Sequence, residues 1–138
     1  MPQTSTVTYD TLVIGGGATG LAAAVALARS LRSVAVVDAG KPRNAPAEGA
    51  HNLLGREGVS PLQLVAIGRE EAQSYGAQII SGEVKSVTRT EFDHAEPYGD
   101  NTFDAALVDG TTLRARRLLL ASGLVDELPD IAGLESLW

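Results

Sequence analysis

The sequence predicts an α/β fold in which a parallel β-sheet is combined with an inserted antiparallel β-meander. Two buried-strand patterns, residues 12–14 and 34–37, flank an Ala-rich segment, 21–31, that contains neither Gly nor Pro. A strand, a helix and a second strand in this order form neighbouring parallel strands with a right-handed crossover. Farther along the chain, short strand-like runs surround an Asp-Gly turn at 109–110, which is typical of a hairpin.

The first predicted strand, Tyr9 to Ile14, ends in a glycine-rich turn. Gly15, Gly17 and Gly20 fill the G-x-G-x-x-G spacing between this strand and the helix that follows. In this pattern the first glycine permits the tight turn and the second lets a pyrophosphate approach the backbone. The third lets the helix pack closely on the strand. The helix N-terminus offers free N–H groups and a partial positive charge, so the turn is a candidate dinucleotide-binding site.

An acidic residue at the end of the second predicted strand, Val34 to Asp38, supports this interpretation. Asp38 lies 18 residues after Gly20, close to the roughly 20 expected for an acid that binds a ribose hydroxyl. The intervening helix is predicted from Ala18 to about Arg32. A strand–helix–strand unit with a glycine turn and no ligand is the alternative. We favour dinucleotide binding because strand, helix and acid all accompany the glycines.

Composition and charge are typical of one globular domain that binds an anionic ligand. The chain has 138 residues, of which 44% are hydrophobic and 20% charged. Residues 1–69 carry six basic and four acidic side chains, a net +2, whereas residues 70–138 carry five and thirteen, a net −8. The half with the glycine turn is therefore the less acidic one. No stretch is basic enough to indicate nucleic-acid binding.

Several classes of site and location are excluded by what the sequence lacks. Without Cys, it can form no disulfide, thiolate nucleophile or Cys-based metal site. His51 and His94 are the only histidines, which excludes a multi-His zinc site. Residues 1–9 do not resemble a secretory signal, and the longest apolar stretch, 21–28, is too short to span a bilayer. We expect a cytoplasmic protein that does not bind membranes.

A loop of about twenty residues, 39–58, follows the second strand and lacks apolar periodicity. Loops of this length are usually functional or disordered. Because this loop starts just beyond Asp38, we expect it to lie over a bound cofactor. Its candidate donors are Lys41, Arg43, Asn44, His51 and Asn52. For any one of these residues alone, a solvated loop position is the alternative.

A second helix is predicted to start at Ser60. Ser60 can cap it, Pro61 suits its first position, Gln63 can complete a capping box, and Gly76 is a natural stop. Residues 77–81 then form a candidate third parallel strand. The predicted apolar face, interrupted by Arg69, consists of Leu62, Val65, Ala66, Ala72 and Tyr75.

Three antiparallel strands are predicted next, at 83–90, 102–108 and 112–116, with an acidic, irregular segment between the first two. After this meander, residues 117–123 have the pattern of another buried strand that ends in a turn of small residues. The parallel sheet would therefore resume after the antiparallel insertion.

This order of elements resembles the N-terminal FAD-binding part of thioredoxin reductase-like proteins, within the two-dinucleotide-binding flavoprotein disulfide reductases. The matching segments are residues 13–21, 38–44 and 119–123. Ser122 stands where the family usually has Thr, which keeps the hydroxyl, and 128–133 looks like the family's entry into its NAD(P)H-binding domain. The resemblance implies a Rossmann-like three-layer FAD-binding domain over residues 1–138, incomplete at its C-terminal side.

The resemblance also implies which residues contact FAD. The pyrophosphate would be held by Gly15, Gly17, Ala18, Thr19 and Gly20. Asp38 would accept hydrogen bonds from the adenosine ribose, and Val84 would meet the adenine through its backbone. The other implied contacts are Ala39, Lys41, Asn44, His51, Asn52, Ala121, Ser122 and Gly123. An ordinary turn position is the alternative for Ser122. No catalytic residue and no metal site is predicted.

Parts of the family pattern are missing from the 138 residues. These are the NAD(P)H-binding domain with its redox Cys-x-x-Cys and the C-terminal segment with a Gly-Asp motif that completes the FAD site. We therefore expect a truncated form, produced by deliberate truncation, proteolysis or a shortened gene. The resemblance implies an NAD(P)H-dependent flavin oxidoreductase that passes electrons through FAD to a disulfide or another acceptor. The expected partners are a thiol or disulfide protein or a small molecule, and a second copy of the chain.

Two other functions stay open at this point. One is an NAD-dependent dehydrogenase domain, in which Asp38 would favour NAD over NADP, although the meander and the Ala-Ser-Gly strand argue against it. The other is a non-catalytic nucleotide-binding module. Bound flavin would distinguish the flavin oxidoreductase from the dehydrogenase domain. Turnover with NAD(P)H would distinguish the flavin oxidoreductase from the non-catalytic module. The sequence leaves open the electron acceptor, the choice of NADH or NADPH, and activity of this chain alone.

Overall fold

The computed structural model describes residues 7–90 and 102–137, in which a parallel sheet lies between two helices and an antiparallel sheet. The strands are β1 Thr8–Tyr9, β2 Thr11–Ile14, β3 Val34–Asp38, β4 Gln78–Ser81, β5 Val84–Arg89, β6 Phe103–Leu107, β7 Thr112–Ala115 and β8 Leu118–Leu120. The helices are α1 Ala18–Arg29, α2 Pro61–Ser74 and a short 3-10 helix, Glu135–Leu137. The predicted α/β fold with an antiparallel insertion is confirmed. The acidic segment predicted between the first two strands of the meander, residues 91–101, lies outside the described residues.

The parallel sheet has the strand order β4-β3-β2-β8. Leu12 of β2 lies beside Ala35 of β3 on one side and Leu118 of β8 on the other. β4 pairs in parallel with β3, as predicted for the third strand. Because all four strands run in the same direction, their carboxyl ends meet at one edge of the sheet.

The central strands are apolar on both faces because both faces are covered. Val34 and Val36 pack on the helix side with Ala24 of α1. Ala35 and Val37 alternate with them and pack on the antiparallel sheet. Residues 34–37 are all apolar because each of them is buried in one of two separate cores.

The predicted first strand is in fact two strands, which is a correction. β1 pairs with β7 of the antiparallel sheet, whereas β2 belongs to the parallel sheet. The chain passes between the layers at Asp10, whose carboxylate accepts hydrogen bonds from the Ser33 N–H (2.9 Å) and Oγ (3.1 Å). These bonds lower the pKa of Asp10. β1 consequently extends the antiparallel sheet to four strands, in the order β1-β7-β6-β5, and the β1–β7 pair is its one parallel pair.

α1 ends three residues before the predicted Arg32. The N–H of Leu31 bonds to the Ala28 carbonyl and that of Arg32 to the Leu27 carbonyl. Leu31 adopts a positive φ of 59°. This is the hydrogen-bond pattern of a Schellman C-cap, which usually places Gly at the left-handed position. Because Leu occupies it here, the sequence carried no stop signal.

α2 begins and ends as predicted. The Gln63 N–H donates to Ser60 Oγ (3.1 Å), Pro61 occupies the first turn, and Gly76 follows the helix with a φ of 95°. The predicted apolar face is partly wrong, because Leu62 and Tyr75 are 55% and 46% exposed. The buried residues of α2 are Pro61 and Ala72.

β8 is not the buried strand that its apolar sequence predicts. It forms the edge of the parallel sheet, and Leu120 is 73% exposed. An apolar run does not reveal whether its strand lies at the centre or the edge of a sheet. In residues 7–90 and 102–137, no helix has the length and apolar character needed to cross a membrane.

Candidate dinucleotide-binding site

A cavity of about 690 Å³ opens at the carboxyl edge of the parallel sheet. Ligands of open α/β sheets bind at this edge, and pockets for small molecules are commonly ~300–1,000 Å³. The cavity is lined by residues 14–17, 37–44, 82–84 and 121–126, together with Leu62, Val65, Ala66 and Arg69 of α2. Three residues of the predicted apolar face of α2, Leu62, Val65 and Ala66, therefore form part of the cavity wall.

The first and third glycines of the turn are required by close backbone contacts. Gly15 has a φ of 111°, and a Cβ there would lie 2.2 Å from the Ala121 carbonyl oxygen. The Ala121 N–H in turn donates to the Ile14 carbonyl (2.8 Å). A Cβ at Gly20 would lie 1.9 Å from the Gly15 carbonyl oxygen. Gly15 and Gly20 therefore permit the tight turn and the close helix packing that the G-x-G-x-x-G spacing predicts.

Gly17 differs from its neighbours because a Cβ at this position would meet no atom within 4 Å. Gly17 lines the cavity and is the N-cap of α1, where no side chain caps the helix. Ala18 and Thr19, in the first turn, are exposed. The first N–H groups of α1 therefore lie beside open space, which is the arrangement that binds phosphate groups.

Asp38 is held in place at the end of β3. Its side chain is only 13% exposed. One carboxylate oxygen, Oδ1, accepts from the Gly40 N–H (3.1 Å), and the other, Oδ2, accepts from the Arg69 guanidinium. A Cβ at Gly16 would lie 2.5 Å from Asp38 Cβ, so the turn backbone packs directly against this side chain.

Arg69 was not predicted as a site residue, because in the sequence it only interrupts the apolar face of α2. Its side chain is 35% exposed and lines the cavity. Across the described ranges, its Nε is the one buried side-chain nitrogen or oxygen without a hydrogen-bond partner. The available signal was its helical spacing: Arg69 lies four and seven residues after Val65 and Leu62, on the same wall of the cavity.

A second ion pair connects the long loop to the segment after β8. Arg43 Nε lies 2.7 Å from Asp126 Oδ2, and Arg43 Nη2 lies 3.1 Å from Asp126 Oδ1. The hydrogen bond from Arg43 lowers the pKa of the Asp126 carboxyl. The three basic and three acidic residues that line the cavity are Lys41, Arg43, Arg69, Asp38, Glu83 and Asp126. The lining is therefore formally neutral.

The predicted site residues fall into three groups. Those that line the cavity are Gly15, Gly17, Asp38, Ala39, Lys41, Asn44, Val84, Ala121, Ser122 and Gly123. Those that adjoin it in the first turn of α1 are Ala18, Thr19 and Gly20. His51 and Asn52 are not among the lining residues.

His51 and Asn52 instead share one partner within the long loop. His51 Nδ1 lies 2.7 Å from Glu57 Oε1, and the Asn52 N–H donates to Glu57 Oε2 (2.8 Å). The hydrogen bond with His51 is the main cause of the lowered pKa of Glu57. Contact between these two residues and a cofactor stays a prediction.

Comparisons with known proteins agree with this geometry. Thioredoxin reductase tcpT of Claviceps purpurea is 33% identical over 132 residues, which cover 94% of this chain and 39% of that protein. The crystal structure of HlmI matches with a TM-score of 0.85 and 45% identity, over 95% of this chain and 40% of HlmI. Thioredoxin reductase from Streptococcus pyogenes matches with a TM-score of 0.75 and 27% identity, over 95% and 40% of the two chains.

The present chain spans about two fifths of the length of these relatives. The Rossmann-like fold and the thioredoxin reductase-like resemblance predicted from the sequence are confirmed. Residues 9–138 match the family model described as pyridine nucleotide-disulphide oxidoreductase. The chain therefore belongs to the pyridine nucleotide-disulphide oxidoreductase family and is thioredoxin reductase-like within it.

Proposed function

We propose that this chain is the FAD-binding part of an NAD(P)H-dependent oxidoreductase. The observation that carries the proposal is one cavity that combines an uncapped helix N-terminus, an open glycine position and an oriented carboxylate. A dinucleotide presents a pyrophosphate and ribose hydroxyls, which are the chemical complements of these groups.

The residues present fit the pyrophosphate of FAD. The N–H groups at Gly17, Ala18 and Thr19 precede the first intrahelical bond, which the Leu21 N–H makes to the Gly17 carbonyl (3.0 Å). The empty space where a Gly17 Cβ would stand lets a phosphate approach this backbone. The helix dipole adds a favourable partial charge.

Asp38 fits the adenosine ribose. An ionised carboxylate has about four acceptor positions. The Gly40 N–H and the Arg69 guanidinium each use one of them. Acceptor capacity therefore remains for the ribose hydroxyls, on a side chain whose position is already fixed.

The segment 121–123 closes the cavity from the other side. Ala121 is tied to β2 by its N–H bond to the Ile14 carbonyl (2.8 Å). Small side chains here let the backbone lie close to the cofactor. When bound, FAD would supply the hydride and electron transfer between nicotinamide and acceptor, while the protein binds, orients and shields it.

The acceptor is proposed to be a disulfide or another oxidised group that reaches the flavin through parts outside these 138 residues. The chain has no Cys. Because thiolates perform thiol–disulfide exchange, such chemistry would need cysteines supplied by another segment or partner. The nicotinamide site would also lie outside this chain.

Competitive titration tests the proposal against an NAD-binding dehydrogenase domain. The chain, freed of nucleotide, is titrated with FAD while flavin fluorescence is followed, and NAD is then added as competitor. We expect saturable binding of one FAD per chain and weaker binding of NAD. Tighter binding of NAD than of FAD would contradict the proposal.

A further inference from the structure

We propose that Arg69 is a positioning residue for the adenosine half of the dinucleotide. It fixes the carboxylate of Asp38 and presents its own remaining N–H groups to the ligand. This inference rests on the proposed function and extends it to a residue on α2, outside the glycine turn and the strand ends.

Arg69 has an unpaired side-chain nitrogen. Buried polar groups are nearly always hydrogen-bonded, and an unpaired donor is costly. Arg69 Nε is buried without a partner, yet the residue lines the cavity beside Asp38. A guanidinium has five N–H donors in a rigid plane, and the bond to Asp38 uses only part of this capacity. A ribose oxygen or an adenine nitrogen is an acceptor of the required kind.

Asp38 is fixed from three directions. Gly40 donates to one oxygen, Arg69 donates to the other, and the backbone at Gly16 packs against the side chain. A carboxylate held in this way loses little rotational freedom when it binds a ribose. Such preorganisation lowers the cost of binding.

Arg69 also offsets the negative charge of Asp38. Asp38 is 13% exposed, and a carboxylate so poorly solvated would repel a nearby pyrophosphate. The Arg69 guanidinium offsets that charge and leaves the acceptor oxygens in place. The pair Arg43–Asp126 lines the same cavity, but its side chains are 56% and 29% exposed, so water already screens it.

A double-mutant cycle tests the proposal on the full chain, with Arg69→Ala, Asp38→Asn and the two combined. Binding of FAD and of ADP is measured, because ADP carries the adenosine and pyrophosphate without the flavin. We expect Arg69→Ala to raise the Kd of both ligands by the same factor, roughly 10- to 100-fold. The double variant should lose less than the product of the two single losses, because the residues act on one group.

Two further variants separate positioning from simple structural damage. Arg69→Lys should recover only part of the affinity, since lysine lacks the planar fork. Arg114→Ala removes another arginine that is paired in two places with an aspartate, Asp104, on the antiparallel sheet (2.7 Å for both contacts). It should leave both Kd values unchanged, even where the unfolding midpoint shifts.

The measurements distinguish a failure of the Arg69 inference from a failure of the proposed function. A change of less than twofold in the FAD affinity of Arg69→Ala, while Asp38→Asn weakens binding, would overturn the inference and leave the proposed function standing. A loss for FAD without an equal loss for ADP would also overturn it. Absence of FAD binding by the wild-type chain would contradict the proposed function and this inference together.

Discussion

The glycine turn, residues 15–17, and the start of the long loop, residues 39–44, line the same cavity, but the two segments are held by different contacts. The backbone of the turn packs directly against neighbouring backbone, since a Cβ added at Gly15 would lie 2.2 Å from the Ala121 carbonyl oxygen. The long loop, residues 39–58, has backbone hydrogen bonds, such as that from the Ala50 N–H to the Val59 carbonyl (2.8 Å), and two exposed side-chain pairs, Arg43 with Asp126 and His51 with Glu57.

This difference determines how each segment responds to mutation. Gly15 and Gly16 cannot accept a side chain without moving their neighbours, whereas a Cβ at Gly17 would enter open space. Exposed ion pairs contribute little individually, because water and salt screen them. We therefore expect large effects from substitutions in the turn, on folding at Gly15 and on FAD binding at Gly17. Substitutions in the loop should have small effects, and Asp38 should lie between the two.

The largest effect is expected for Gly15→Ala. The alanine would have to keep the backbone φ of 111°, and its methyl group would collide with the Ala121 carbonyl. We expect a loss of about 3 kcal/mol in the free energy of unfolding, measured by urea denaturation. The matched control is Gly110→Ala, where φ is 90° and a Cβ has open space. Equal losses in both variants would show that the contact with Ala121 is unimportant.

Gly17→Val should separate binding from folding. A Cβ at position 17 meets no protein atom within 4 Å, so the variant should fold, with a stability change of about 1 kcal/mol or less. The side chain would occupy the space proposed for the pyrophosphate, and FAD binding should be abolished. A folded Gly17→Val protein, verified by circular dichroism, that retains FAD would refute the assignment of the turn.

Asp38→Ala should weaken FAD binding by about 1–3 kcal/mol, because ribose hydroxyls would lose a buried acceptor. Isothermal titration calorimetry on the wild type and the variant gives the two dissociation constants. If they are equal, Asp38 serves only to end β3 and to pair with Arg69.

The smallest effect is expected for Asp126→Asn, and it should depend on pH. Because Arg43 lowers the pKa of the folded Asp126, the pair contributes stability above the unfolded pKa of about 3.9. That contribution is lost as the pH falls through the folded pKa. The thermal midpoint of Asp126→Asn should therefore lie slightly below that of the wild type at pH 7, and the gap should close at low pH. A gap that is unchanged at pH 2.5 would exclude this ion pair as its cause.

The contrast between turn and loop also explains how much could be predicted from sequence. The glycines at 15 and 20 made the turn predictable because a Cβ at either position would collide with backbone atoms, whereas Gly17 has no such contact. The apolar run at 34–37 predicted a strand that is indeed buried on both faces.

Other features depend on neighbours that no local pattern reveals. The layer change at Asp10 requires Ser33, which is 23 residues away in the chain. The exposure of Leu120 depends on the position of β8 at a sheet edge. Arg69 joins the site only because α2 packs beside the end of β3, and sequence periodicity alone marks it as an exception on an apolar face.

The most direct test of the central claim is an absorption spectrum of the purified chain, followed by chromatography of the nucleotide released on denaturation. The glycine turn, Asp38 and the segment 121–123 are proposed to form an FAD site. We therefore expect a flavin spectrum and released FAD. Release of NAD or NADP without flavin would contradict it and would favour a dehydrogenase domain.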